Sequence, residues 1–311
     1  MIIKEHYSYS MSISRQNLSI VIVTFKSNDV IHDCIKSIDE EIQIIIVDNS
    51  NDIDFKKKIE NTYKNVKCIL SSENLGMGRG NNLGIQSSST DFVLILNPDV
   101  ILEKNSINEL INASKKFLNF SVLAPISSDP KYPNYKNLNN IKQSNEKDSP
   151  FKVKSVDGFA MLINKKKINQ IFDSENYKKE FHYFDENFFM YLENDDLCKR
   201  IIDKKGEIYV VPTSKINHLG AKAVDHKYKN EIEFSRNWHW VWSKFYFQKK
   251  HFSYPRAFIF GLPKFFSSIL KYLLYFIINN TNKKKIYLNR SLGFYNAAIG
   301  KKSWYRPNIN S

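Results

Sequence analysis

After a polar start, the chain opens on an uninterrupted apolar run rich in β-branched residues, Leu18–Phe25 (LSIVIVTF). Such a run is the mark of a strand covered on both faces, not on one. The period then changes. Val30, Ile31, Cys34, Ile35 and Ile38 recur three and four apart, which predicts a helix over 29–39. Ile42–Val47 (IQIIIV) predicts a second buried strand that ends at Asp48. A helix over 55–63, a short strand over 66–70 and a weak helix over 78–86 follow. Asp91–Leu96 (DFVLIL) is then a strand running into Asn97-Pro98-Asp99. Strands alternating with helices across 18–126 predict a mainly parallel sheet flanked by helices. Ligands of such sheets sit beyond the carboxyl ends of the strands. Asp48 and Asp99 both lie there, so the two are expected in one crevice.

The alternation stops at 127–152, a polar, Pro-containing stretch expected to be a loop or mobile lid. It resumes at Val156–Ile163 (VDGFAMLI), expected as one strand. Residues 193–204 predict a helix with Leu197, Ile201 and Ile202 inward and Gly206 as its stop. Strand segments at 207–211 and 214–218 would close the same sheet. The last third differs. Residues 228–250 predict an aromatic, basic helix carrying Trp238, Trp240 and Trp242. Phe258–Ile278 is strongly apolar, yet Lys264 and Lys271 interrupt it and share a narrow helical face with Ser267 and Ser268. A spanning helix wants about 20 mostly apolar residues with few charges. The stretch therefore reads as an amphipathic helix lying in the plane of a membrane surface.

Charge strengthens the division. Residues 227–311 hold sixteen Lys and Arg against two acids, so they carry the whole net charge of +14, and residues 1–226 are neutral. A basic end of this kind needs an anionic partner, nucleic acid or phospholipid. The apolar density of 258–278 favours an anionic membrane surface, to which Lys283–Lys285, Lys301 and Lys302 would add about 1 kcal/mol each; no nucleic acid is expected. An apolar fraction of 42% is that of a folded protein. Three scattered cysteines suit a reducing compartment, and the first residues show no signal-peptide pattern. The expected location is cytoplasmic, peripheral on the inner face of the cytoplasmic (inner) membrane.

Chemistry concentrates in a few places. A carboxylate at Asp99, directly after a buried strand, can hold a divalent cation while a donor's phosphates complete the shell; the same motif also serves as a turn and cap. Asp48 in Val47-Asp48-Asn49-Ser50 can accept a hydrogen bond from the imide N–H of uracil or thymine, or cap a helix. Residues 72–84 (SENLGMGRGNNLG) form a Gly- and Asn-rich turn whose backbone N–H groups can face phosphates, but the glycine spacing is not that of a nicotinamide site. Glu193-Asn194-Asp195-Asp196 opens a helix with three acids, a base for an acceptor hydroxyl or a set of caps. His218, in KINHLG, is a metal ligand or a structural histidine.

Taken together and in order, these pieces resemble family 2 glycosyltransferases of the GT-A fold, particularly the bacterial rhamnosyltransferase-like branch, over about residues 18–250. The carriers are VTFKS (23–27), VDNS (47–50), ENLGMGRGNNLGI (73–85), ILNPDV (95–100) and FDENFFMYLENDDLCKRI (184–201). The resemblance implies a catalytic domain at 18–226, with a nucleotide-sugar half (18–126) and an acceptor half (153–226). A leader (1–17) and a membrane-associating helical region (227–311) flank it. It implies Thr24 and Asp48 in the base pocket and Asn82 beside the donor, with Asn74, Arg79 and Asp157 as further substrate contacts. Asp99 and His218 would hold Mg²⁺ or Mn²⁺. The acidic helix start would supply the general base, Glu193 first and Asp195 second, because Asn194 stands where many members have an aspartate. The implied reaction is inverting transfer of rhamnose or a similar hexose from a nucleotide-diphosphate sugar. A glycan or lipid-linked acceptor would receive it in bacterial surface polysaccharide (O-antigen or capsule) synthesis. The alternatives are a non-catalytic relative that binds a nucleotide sugar or glycan and, third, a basic nucleic-acid-binding protein.

Overall fold

The structure, a computed structural model, describes residues 13–138, 148–172, 182–220 and 223–308. Most of the expected leader, and residues 139–147 of the expected lid, lie outside the described residues. Strands β1 (Leu18–Thr24), β2 (Gln43–Asp48), β3 (Val66–Leu70) and β4 (Phe92–Leu96) are parallel, in the order β3-β2-β1-β4, with α1 (Ile31–Lys36), α2 (Ile53–Thr62) and α3 (Gly76–Gln86) between them. The continuous apolar runs have a direct cause, since successive side chains enter two different cores. Ile20, Ile22, Ile44, Ile46 and Leu94 pack on one side with α1. Val21, Ile45, Val93 and Ile95 pack on the other with Ile85 of α3. A strand with both faces covered has no polar face to show.

The second half adds β5 (Val100–Leu102), α4 (Ser106–Lys116), β6 (Phe120–Ser127), β7 (Tyr135–Asn137), β8 (Phe151–Val156), β9 (Ala160–Asn164), α5 (Lys165–Phe172), α6 (Glu193–Asp203) and β10 (Glu207–His218). The sheet continues β4-β9-β6-β10-β8-β7, with β5 paired to β10. Three expectations change. Val156–Ile163 is not one strand: β8 ends at Val156, a turn takes Asp157–Phe159, and β9 lies between β4 and β6, antiparallel to both. The two segments at 207–218 are one strand, whose register against β6 slips between Val211 and Lys215. The stretch 127–152 is not all loop, since β7 lies inside it and pairs with residues 153–156 of β8.

Three helices follow, α7 (Lys229–His251), α8 (Tyr254–Ile277) and α9 (Thr281–Ala298), around a separate core of Trp238, Trp242, Phe245, Ala257, Phe294 and Ala297. Close approach of α7 and α9 requires Gly293, where a Cβ would fall 2.4 Å from the Trp238 carbonyl oxygen. In α8, Ala257 and Ser268 are buried, and Phe265 stacks on Phe294 at 4.9 Å. The opposite face is apolar and open to solvent: Ile259, Phe266, Leu270 and Ile277 are 58–78% exposed. The amphipathic arrangement thus departs from the one expected. Ser268 points inward, its hydroxyl bonded to the Lys264 carbonyl, and the outward face is the greasy one. α7 is tied to α6 by ionic contacts to a buried acid. Asp196 of α6, fully buried, meets Lys250 at 2.6 Å and His251 at 2.8 Å.

Candidate active site

The carboxyl ends of β2 and β4 lie on one edge of the sheet with β1 between them, about 10 Å apart at two strand spacings. Asp48 closes β2, in register with Thr24 of β1. The Thr24 hydroxyl donates to one Asp48 oxygen at 3.0 Å and the Asp52 N–H to the other at 3.0 Å, so this buried carboxylate is rigidly held. Asn49, which motif reading passed over, fastens the neighbouring loop. Its amide donates to the Gly76 carbonyl and accepts from the Leu75 N–H. Gly76 has φ +77, and a Cβ there would come within 2.2 Å of the Phe189 carbonyl oxygen; only glycine fits.

Asp99 is 2% exposed, and its Oδ1 has no hydrogen-bond partner among the described residues. The His218 Nε2 stands 3.5 Å from that oxygen. The pairing of β5 with β10 causes the meeting, because it sets His218 opposite Val100. Phe159 stacks on the imidazole at 4.1 Å and fixes its plane. A buried carboxylate oxygen left unpaired costs free energy unless something completes it. With an imidazole beside it, the pair offers one hard oxygen and one nitrogen, a donor set suited to a divalent cation whose other positions a diphosphate would fill. No cluster of three or more His, Cys, Asp or Glu side chains placed to hold a metal exists among the described residues, so a cation would rely on the substrate for the rest of its shell.

Asp157, in the turn that opens β9, has its carboxyl raised by burial and then by the Asp195 charge, while Lys136 and His218 pull it back. Its backbone N–H donates to the Asn134 carbonyl at 2.9 Å. At the start of α6, Glu193 is 8% exposed and its Oε2 has no partner among the described residues. Burial raises it to about 7, with Asp195 and Asp196 adding and its own backbone N–H opposing. A carboxylate poised near neutrality is what general-base work requires. Asp195 instead accepts from Lys136 at 2.6 Å and from Ser155 at 2.5 Å. Asp196 is consumed by Arg200, Lys250 and His251. The Asn194 amide donates to the Val156 carbonyl at 2.8 Å, next to the Asp157 turn.

Three residues expected as substrate contacts are engaged with the protein itself. Both ends of the Asn82 amide are taken by the Phe184 backbone, and the residue is 1% exposed. It clamps α3 to the segment before α6. Arg79 is paired with Glu73 at 2.8 Å and Glu186 at 3.6 Å. The Asn74 side chain accepts from the Gly76 N–H, and its carbonyl accepts from Arg306, whose guanidinium lies 3.8 Å over the Phe189 ring. A cavity of 830 Å³ has Tyr191, Asp225, Arg236, Trp240 and Arg290 on its walls, and none of Asp48, Asp99, Glu193 or His218.

Residues 19–172 match the family model Glycosyl transferase family 2. Among curated proteins, the chain is 28% identical over 200 residues to the low-salt glycan biosynthesis hexosyltransferase Agl10 of Haloferax volcanii, covering 59% of this chain and 61% of that one. It is 23% identical over 214 residues to the N-acetylglucosaminyl-diphospho-decaprenol L-rhamnosyltransferase of Mycobacterium tuberculosis, covering 57% and 66%. The matched part thus spans slightly under two thirds of each relative. Among solved structures, the mannosyltransferase PcManGT of Pyrobaculum calidifontis, in complex with GDP-Man and Mn²⁺, superposes with a TM-score of 0.51 at 12% identity, covering 93% of this chain and 87% of that one. GalNAc-T7 with UDP, GalNAc and Mn²⁺ gives 0.51 at 14% identity over 65% and 43%. Residues 19–172 belong to glycosyl transferase family 2, and the chain has the GT-A fold.

Proposed function

We propose that this protein is an inverting hexosyltransferase that moves a sugar from a nucleotide-diphosphate donor to a hydroxyl of a glycan or lipid-linked acceptor. The observation that carries the reading is the Asp99–His218 pair, with its unpartnered carboxylate oxygen, on the strand edge where this fold binds ligands. A Mg²⁺ or Mn²⁺ held there would offset charge on the departing diphosphate. Thr24 and Asp48 would orient the base, and Asn49 and Gly76 hold the adjoining loop in place. Glu193 would take the proton of the attacking hydroxyl, and the buried wall around it would keep water out. Curated relatives of this chain are named as a hexosyltransferase of glycan biosynthesis and a rhamnosyltransferase acting on a diphospho-decaprenol acceptor. They support a hexose donor, rhamnose or similar, and a place in surface polysaccharide assembly such as O-antigen or capsule.

The exposed apolar face of α8 supports a peripheral location on the cytoplasmic side of the membrane. By length and composition α8 is able to cross a bilayer, but its inner face is committed to α7 and α9, which favours lying in the surface. A non-catalytic relative is the second reading, and Asn194 at an aspartate's place favours it. The test is incubation with UDP-, dTDP- and GDP-hexoses and Mn²⁺, reading free nucleotide diphosphate and sugar on a lipid-diphosphate acceptor. Release and transfer are expected. A protein that binds a nucleotide sugar and never consumes it is the non-catalytic relative, and one that binds none is neither.

A further inference from the structure

A second cavity, of 650 Å³, runs between α6, α7 and α8. Asp195 is on its wall, and Trp240 belongs to both this cavity and the larger one. Its walls divide by chemistry. Phe252 and Phe260 form an aromatic side, and Lys136, Lys244 and Lys264 form a cationic one. The acids nearby do not balance these lysines equally. Lys136 is paired with Asp195 at 2.6 Å. Lys244 instead lies 3.8 Å over the Trp240 ring, and the charged groups acting on it, Lys264, Arg290 and Lys136, are all cations. After burial, they are what push its ammonium down to about 8. Two lysines from different helices, brought together beside an indole, make an anion site: a bound phosphate would relieve their repulsion with charge-assisted hydrogen bonds.

The cavity's apolar wall is continuous with the outside of α8. Phe260 is a wall residue and is also 62% exposed, next to the open Ile259 and on the same helix as the open Phe266. Three chemistries therefore share one cavity: a carboxylate two residues from Glu193, a pair of cations and an apolar wall that reaches the outside of α8. The occupant that matches this set is an amphiphile with a sugar, a phosphate and a long hydrocarbon chain. We propose that this groove is the acceptor site, and that Lys244 and Lys264 grip the phosphate or diphosphate joining the acceptor sugar to its apolar chain, which leaves over Phe260. The proposal rests on the reading that the acceptor is lipid-linked and names the side chains that would read the link.

Farnesyl diphosphate is a suitable probe, because it carries the phosphates and a chain but no sugar. Titrated calorimetrically into the full chain, it should bind at least tenfold more tightly than inorganic pyrophosphate. The double variant Lys244→Gln/Lys264→Gln should lose at least tenfold in that affinity. Phe260→Ser, at an exposed position with no core volume to lose, should weaken farnesyl diphosphate and leave pyrophosphate unchanged. Binding of UDP, dTDP and GDP, measured on each protein, reports the donor site and the fold separately. Unchanged farnesyl diphosphate binding in the double variant overturns the proposal, and so does equal binding of pyrophosphate and farnesyl diphosphate by the wild type. Phosphatidylglycerol vesicles supply the last arm. If the double variant loses vesicle binding as steeply as it loses farnesyl diphosphate, the lysines are a bilayer headgroup site and the acceptor assignment is wrong. Nucleotide binding without any farnesyl diphosphate binding would sink this proposal alone, whereas absence of both would sink the transferase reading as well.

Discussion

The sheet and the C-terminal helices handle apolar surface in opposite ways. β1 buries every one of its seven residues, with Leu18, Ile20 and Ile22 in one core and Val21 in the other. α8, a helix of 24 residues, has two that are fully buried, Ala257 and Ser268, and leaves Ile259, Phe266, Leu270 and Ile277 open. A soluble domain rarely keeps so continuous an apolar face without something to cover it. The sheet holds the polar groups that chemistry needs at fixed positions. The helical region shows a surface that a lipid phase would cover. The two are joined through Asp196, where α6, just past the candidate base, is tied to Lys250 and His251 of α7. That link also places the truncation point. Cutting the chain near Lys250 would strip Phe294 and Ala297 from the Trp238 core, so point changes on α8 separate the two regions more cleanly than deletion.

The largest effect should come from the sheet edge. Asp99→Asn removes a charge and no volume, and is expected to cut transfer by about 10³-fold or more, a loss of several kcal/mol from the charge stabilisation a metal provides, with the melting temperature nearly unchanged. Glu193→Gln should follow, with a loss of roughly 10²-fold or more in kcat. Its pH behaviour is specific. The folded-state value of about 7 lies above the ordinary 4.5, so the folded protein keeps the proton between them. Activity should fall as the pH drops below about 7, because the base is then protonated. Stability runs the other way. The cost of ionising this buried acid appears as the pH rises through 4.5 to 7. At pH 8, Glu193→Gln should therefore be more stable than the wild type by up to about 3 kcal/mol, and the gain should vanish below pH 4.5. Thermal melts across pH check this directly.

The helical region should respond by position. Phe294→Ala empties the core between α7, α8 and α9 and should cost about 3–5 kcal/mol in urea unfolding. Ile277→Glu, on the same helical pair but 78% exposed, should change stability by less than about 0.5 kcal/mol. It should still reduce sedimentation with phosphatidylglycerol vesicles. If Ile277→Glu unfolds the protein while vesicle binding persists, the outer face of α8 is a protein contact and the contrast drawn between the two regions fails.

Much of this was legible in the residues, and the rest was hidden for a definite reason. Leu18–Thr24 and Phe92–Leu96 are visible because burial on both faces leaves a nearly unbroken apolar run. Asp48 and Asp99 are visible because they end such runs. Chain order does not say that β9 slips in antiparallel between β4 and β6, since that pairing is decided by contacts far apart in sequence. For the same reason, the partners of the loop glycine and asparagine motif are hidden. Phe184 and Glu186, which meet Asn82 and Arg79, lie about a hundred residues on. The meeting of His218 with Asp99 depends on β5 pairing with β10, and three residues of strand carry too little periodicity to be read. On α8, the lysine and serine positions mark one narrow face but not which of its residues turns inward. Ser268 is buried and Phe265 stacks on Phe294 of α9, whose ring lies so close to Gly261 that a Cβ there would fall 2.3 Å from it.

The account depends most on Asp99 and His218 forming the place where a donor's diphosphate is held. Thermal melting of the wild type, Asp99→Asn and Glu193→Gln with UDP-, dTDP- and GDP-sugars, with and without Mn²⁺, tests this without an acceptor. One donor, at about a hundred times its dissociation constant, should stabilise the wild type by about 2.7 kcal/mol. The gain should depend on Mn²⁺, survive in Glu193→Gln and disappear in Asp99→Asn. Stabilisation of Asp99→Asn equal to that of the wild type, or no stabilisation by any donor with the metal present, would contradict it.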